Sequence, residues 1–124
     1  MSERVVVPVL NQEGEDSVLF PHFGRAPFFA IAEVDKSGQI KSLEFQLNRS
    51  SHFGGQERPP DILLSLNPNI VITYGMGPRA LRVFQEAGVA VLQANAENLG
   101  RVLRAFVQNQ LAELTEGCRE ARHK

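Results

Sequence analysis

Apolar and polar residues change their spacing midway along the chain, and the change divides it into two halves. Residues 4–10 carry Val5, Val6, Val7, Val9 and Leu10 in a nearly unbroken run, the pattern of a buried strand. Residues 11–16 are polar and contain Gly14, which reads as a loop. Residues 28–34 alternate well enough for a second strand, and Asp35, Lys36, Ser37 and Gly38 supply a hairpin turn. Residues 39–47 follow as a third strand, with Ile40, Leu43, Phe45 and Leu47 as most of its apolar side chains. The first half therefore reads as an antiparallel meander.

In the second half the period lengthens. After a polar Ser/Gly loop over residues 48–58, which carries His52, Pro59 and Pro60 open a helix with Ile62, Leu63 and Leu66 on one face. Asn67 and Pro68 close it, and residues 69–74 form a strongly β-branched strand. Residues 78–87 predict a helix with Leu81 and Phe84 inward, ended by Gly88. A short strand over 89–92 precedes a helix over 96–108, whose Leu99, Val102, Leu103, Phe106 and Val107 recur at helical spacing. Residues 111–124 are charged, with mixed signs and weak periodicity, and predict a frayed helix or mobile tail.

Strand–helix–strand–helix connections imply parallel neighbours joined by right-handed crossovers. The expected fold is α/β: a five-stranded mixed sheet, antiparallel meander first and parallel strands after, flanked by about three helices. Residues 1–110 would form one domain and 111–124 a charged tail. Three leading antiparallel strands in a mixed sheet suggest a ribonuclease H-like architecture. An active nuclease of that shape needs several acids on its strands. The first strand has none between Arg4 and Leu10, so the shape is expected without the nuclease.

Composition narrows the function classes. At 124 residues, 43% hydrophobic and 22% charged, the chain has the size and make-up of one globular domain. Its net charge of −1 argues against a broad nucleic-acid or anionic-membrane footprint. The single cysteine, Cys118, cannot form an internal disulfide, which fits a reducing compartment. No secretory signal is read at the N-terminus, and no apolar stretch approaches the roughly 20 residues needed to span a bilayer. The expected location is the cytoplasm.

Two segments carry candidate chemistry. The first is Pro21, His22, Phe23, Gly24, Arg25, Ala26, Pro27, Phe28, Phe29. It gathers an imidazole, a guanidinium and three aromatic rings between two prolines that restrict its backbone. The second is Tyr74, Gly75, Met76, Gly77, Pro78, Arg79, Ala80, at the carboxyl end of a strand and the start of a helix. Open α/β sheets bind ligands at such ends, and the helix N-terminus with Arg79 makes a seat for an anion. Gly75, Gly77 and Ala80 match the permissive dinucleotide fingerprint, but the motif lies too late in the chain. The next strand also ends without an acid to hold a ribose.

Catalytic patterns are weak. Ser50, Ser51 and His52 are adjacent in sequence only, and the acids are scattered over turns and helix faces. An enzymatic role is therefore not expected. His22, His52, Cys118, His123 and, more weakly, Met76 are the soft-ligand candidates; their spacing matches no closed zinc module.

Residues 5–9, 22–29, 71–80 and 88–91, in this order and spacing, resemble the dinitrogenase iron–molybdenum cofactor biosynthesis family over about residues 4–110. The resemblance implies a ribonuclease H-like fold and non-catalytic binding or carriage of an iron–molybdenum cofactor or iron–sulfur cluster precursor. It would place His22, Phe23, Gly24, Arg25, Gly75, Met76, Gly77 and Arg79 around the site, with His22 and His52 as labile metal ligands. The implied partners are the metallocofactor and cofactor-assembly or acceptor proteins, with no nucleic acid and no membrane. Two other readings remain open. One is a module for a small anionic metabolite or phosphate at residues 75–79, and the other is an interaction domain that docks through the charged tail.

Overall fold

The computed structural model describes residues 2–48 and 59–114. Its centre is β1 (Ser2–Val9), flanked by β2 (Phe28–Asp35), to which it runs antiparallel, and β4 (Ile70–Thr73), to which it runs parallel. With β3 (Ile40–Leu47) outside β2 and β5 (Ala90–Gln93) outside β4, the sheet order is β3-β2-β1-β4-β5. The helices are α1 (Pro59–Ser65), α2 (Pro78–Glu86) and α3 (Leu99–Val107). This is the α/β architecture expected from the apolar pattern.

The unbroken valine run of β1 has a direct reason: both faces of the strand are covered. Val5, Val7 and Val9 pack with Ala30, Ala32, Val34 and Ile72 against Leu99, Val102 and Leu103 of α3. Val6 points the other way and joins Phe29, Ile31, Val71 and Val91 against Ile62, Leu63, Leu81 and Phe84 of α1 and α2. The period-2 alternation of side chains across a strand makes these two clusters from one sequence. Phe29 and Phe84 are fully buried, and each such ring contributes about 1.5–3 kcal/mol by leaving water.

Pro8 decides how the sheet opens. It lacks an N–H, and paired residues between β1 and β4 are limited to Val5–Ile70 and Val6–Val71. Beyond them the Pro8 carbonyl accepts from Phe20 N–H at 3.0 Å, and Val9 pairs with Leu19. Residues 17–20 thus lie along the free edge of β1. Their other side is held by the start of α3: Leu19 N–H donates to the Glu97 carbonyl at 2.8 Å, and Leu99 N–H donates to that of Ser17 at 2.9 Å. Gly100 permits this close approach, because a Cβ there would meet Glu15 atoms at 3.0–3.2 Å.

Three local expectations need correction. The last helix begins at Leu99, with Asn98 as its cap, rather than at residue 96. The loop over residues 11–16 contains a 3₁₀ turn, Gly14–Asp16. Residues 111–114 are not a frayed helix. They run extended beside β5, with Gln93 N–H donating to the Ala112 carbonyl and Leu114 N–H to that of Val91, both at 2.7 Å. The charged side chains concealed this because the pairing is made by backbone and anchored by Leu111 and Leu114, which pack on opposite faces of the sheet.

Candidate functional site

The carboxyl ends of β1 and β4 and the amino end of β2 lie at the same end of the sheet, because β1 is parallel to β4 and antiparallel to β2. The segment before β2 and the segment after β4 therefore emerge together. Residues 17–20 carry the chain into the gap that Pro8 opens. There Phe23–Arg25 forms one 3₁₀ turn, closed by Arg25 N–H donating to the His22 carbonyl at 2.9 Å.

Each loop is anchored by a large buried apolar side chain. Phe23 is 6% exposed and Met76 is 4% exposed, and both belong to the cluster beneath α1 and α2. Phe23 also meets Phe84 edge to face, with ring centroids 5.8 Å apart. The resemblance groups both with the site residues, and in the structure both are buried beneath the loops. Their side chains form the floor under the two loops; the polar groups above are left to other residues. His22, Arg25 and Arg79 are exposed, and His22 rests its ring against the edge of Phe20 at a centroid distance of 6.2 Å. Neither guanidinium has an ion-pair partner among the described residues.

Backbone donors add to this positive field. α2 starts at Pro78, Gly77 is its cap, and its first intrahelical bond runs from Leu81 N–H to the Gly77 carbonyl. The N–H groups of Arg79 and Ala80 thus have no acceptor within the helix. No acid occupies the first turn and no side chain caps the helix, so its partial positive charge is not offset locally. Gly77 has an extended backbone (φ −63°, ψ 156°), and an added Cβ would meet nothing within 4 Å. The turn itself does not require glycine at this position. What glycine provides is an uncovered approach to the helix end.

Sequence reasoning missed the residue that holds the first loop in place. Asn48, 2% exposed, donates from its carboxamide to the Ala26 carbonyl at 2.8 Å and the Gly24 carbonyl at 3.4 Å. Its own N–H donates to the Pro27 carbonyl at 3.0 Å. Its only signal was an Asn directly after a strand, which is common in plain turns. His52, Cys118 and His123 lie outside the described residues. Among the described residues, no group of three His, Cys, Asp or Glu side chains could hold a metal ion. His22 is the one soft ligand candidate among them that faces solvent. No helix among the described residues is long and apolar enough to cross a membrane.

On the other side of this sheet end lies a cleft of about 680 Å³, lined by Tyr74, by residues 94–98 between β5 and α3, and by Arg101 of α3. The Tyr74 hydroxyl donates to the Ala96 carbonyl at 3.1 Å. Burial, and then the nearby Glu97 carboxylate, push the phenol above its ordinary value of 10.0.

Comparison with known proteins agrees with the fold. A protein of Methanocaldococcus jannaschii, MJ0580, is 28% identical over 110 residues, covering 87% of this chain and 88% of its own. The crystal structure of PH0822 superposes with a TM-score of 0.75 at 27% identity, covering 90% of this chain and 96% of that one. The apo form of the orange protein from Desulfovibrio gigas has a TM-score of 0.77 at 20% identity, over 95% and 98% of the two chains, which speaks for a shared fold. The family model described as dinitrogenase iron-molybdenum cofactor matches residues 3–109. With this match over nearly its whole length, the chain belongs to the dinitrogenase iron–molybdenum cofactor family.

Proposed function

We propose that the chain binds and carries an anionic metal–sulfur cofactor precursor, of the iron–molybdenum or iron–sulfur type, without transforming it. The observation that carries this reading is a single end of the sheet where two guanidiniums, Arg25 and Arg79, without an ion-pair partner among the described residues, accompany His22 on loops anchored in one core cluster. Family membership supports a cofactor-related role.

The residues fit such a cargo. Sulfide-rich clusters are anionic, and the guanidiniums with the free N–H groups of Arg79 and Ala80 supply directed positive charge. His22 offers one imidazole, the kind of ligand that exchanges readily when it binds alone. Gly24, Gly75 and Gly77 keep side chains away from the approach. A carrier must release its load, so a cradle dominated by charge and one imidazole serves better than a closed cage. Its partners would be the assembly and acceptor proteins of a cytoplasmic cofactor pathway. Among the described residues the site shows no nucleophile–base pair, which favours binding over catalysis.

Anaerobic mixing with isolated iron–molybdenum cofactor, and separately with an iron–sulfur cluster precursor, tests this. The expected result is metal co-eluting with the protein on gel filtration. His22→Ala or Arg79→Ala would weaken retention about 5- to 30-fold, the equivalent of about 1–2 kcal/mol per lost contact. Absence of co-elution for both cluster types would end the reading. The bare N-terminus of α2 also favours a second one, a seat for phosphate or a small anionic metabolite at residues 75–79. Stabilisation by phosphate that persists in chelator and disappears in Arg79→Ala would select it.

A further inference from the structure

The chain leaves β4 toward α2, which packs on one face of the sheet, and leaves β5 toward α3, which packs on the other. Adjacent parallel strands whose connections part in opposite directions leave a crevice outside their carboxyl ends, the usual ligand position in open α/β sheets. The 680 Å³ cleft lies at this point, and of the two loop motifs only Tyr74 reaches its lining. Its volume is in the ordinary range for small-molecule pockets.

The lining has a definite chemistry. Arg101 contributes a guanidinium and Glu97 a carboxylate, both exposed, and neither makes an ion pair among the described residues. Tyr74 donates its proton to Ala96, which leaves the phenol oxygen to accept. Asn98 accepts from Arg101 N–H through Oδ1 at 3.0 Å, a bond that does not use its amide protons. Asn95 adds a second carboxamide. A polyanion would meet Glu97 and a simple cation would meet Arg101. A molecule bearing one charge of each sign satisfies both.

We propose that this cleft is a second ligand site and that it takes a free α-amino acid. The α-carboxylate is received by Arg101 in the two-pronged geometry that guanidinium favours. The ammonium is received by Glu97 and the Tyr74 oxygen, with Asn95 and Asn98 completing the polar shell. This ligand class is independent of the metal–sulfur cargo, whose net negative charge suits the arginine loops on the other side.

Calorimetric titration of the full chain with each of the twenty amino acids tests it, with propionate, ethylamine and inorganic phosphate as comparison probes. At least one amino acid is expected to bind saturably with Kd below about 1 mM. Its deaminated acid and its decarboxylated amine should each bind at least about tenfold more weakly. Arg101→Ala and Glu97→Ala should each weaken binding about tenfold or more, with circular dichroism reporting an intact fold. Lys41→Ala, on the distant edge strand, should leave it unchanged. The proposal is overturned if no amino acid binds by about 10 mM, if the acid lacking the amine binds as well as its parent, or if Arg101→Ala has no effect. None of these results bears on cluster retention, which is read by metal content.

Discussion

Asn48 is buried at the foot of the first loop and ties down two of its carbonyls. Asn48→Ala would leave the Ala26 carbonyl without its short partner, and an unsatisfied buried polar group costs about 1–3 kcal/mol. Chemical denaturation should show a loss of that size, and cargo retention should fall further than stability alone explains. An unchanged midpoint would mean that another group replaces the carboxamide. Tyr74 offers a second test at this scale, and a clean one, because it is the chain's single tyrosine and there is no tryptophan. Its folded value lies above 10.0 because burial, and secondarily Glu97, disfavour the phenolate. The folded chain therefore holds this proton more tightly than the unfolded chain. Its stabilising contribution is complete below pH 10 and is lost as pH rises through the raised value. Ultraviolet titration should place phenolate formation above pH 10, and Glu97→Gln should bring it part of the way back, since burial remains. A native midpoint at or below 10 would contradict the described surroundings of the ring. Of the residues that the resemblance groups at the site, His22, Arg25 and Arg79 are exposed while Phe23 and Met76 are buried. Residue type does not separate the two sets, because an apolar residue in a loop motif can face either the ligand or the core, and only packing decides.

Hydrophobic period located each of the named strands and helices to within a few residues, because each element has a face or two faces to bury. The period carries little information where backbone pairing chiefly sets the course of the chain. Residues 17–20 and 111–114 are such places: they are short, and tertiary hydrogen bonds to Pro8, Glu97, Gln93 and Val91 set their course. The hairpin between β2 and β3 shows how much one turn residue contributes to element packing. Asp35 accepts from Ser37 and Gln39, and these bonds, the Ser37 hydroxyl foremost, hold its carboxyl below the usual value. Gly38 sits at φ +91°, and a Cβ there would come 2.6 Å from Val107 Cγ1 on α3. Gly38→Ala therefore combines backbone strain with overpacking, and the expected destabilisation is about 1–3 kcal/mol. Adding Val107→Ala should relieve the overlap and leave the strain, so the double variant should lose less than the two single losses added together. Simple additivity would show that the turn does not press on α3.

At the scale of the whole molecule, sheet topology brings distant segments together. The order β3-β2-β1-β4-β5 puts the start of β2 and the end of β4 at one end. Pro8 widens the gap there, and Phe23 and Met76 seat both loops in the cluster under α1 and α2. The sequence could show that two polar loops adjoin strands; the parallel–antiparallel pairing about β1 shows that they share an end. The most direct test follows both loops at once. Backbone amide resonances would be recorded during titration with tetrathiomolybdate, a diamagnetic metal–sulfide dianion. Signals of residues 22–26 and 75–80 should move together along one saturable curve, and Arg25→Ala or Arg79→Ala should weaken the response of both. Movement of one loop alone, or different midpoints for the two, would mean that no common cradle exists.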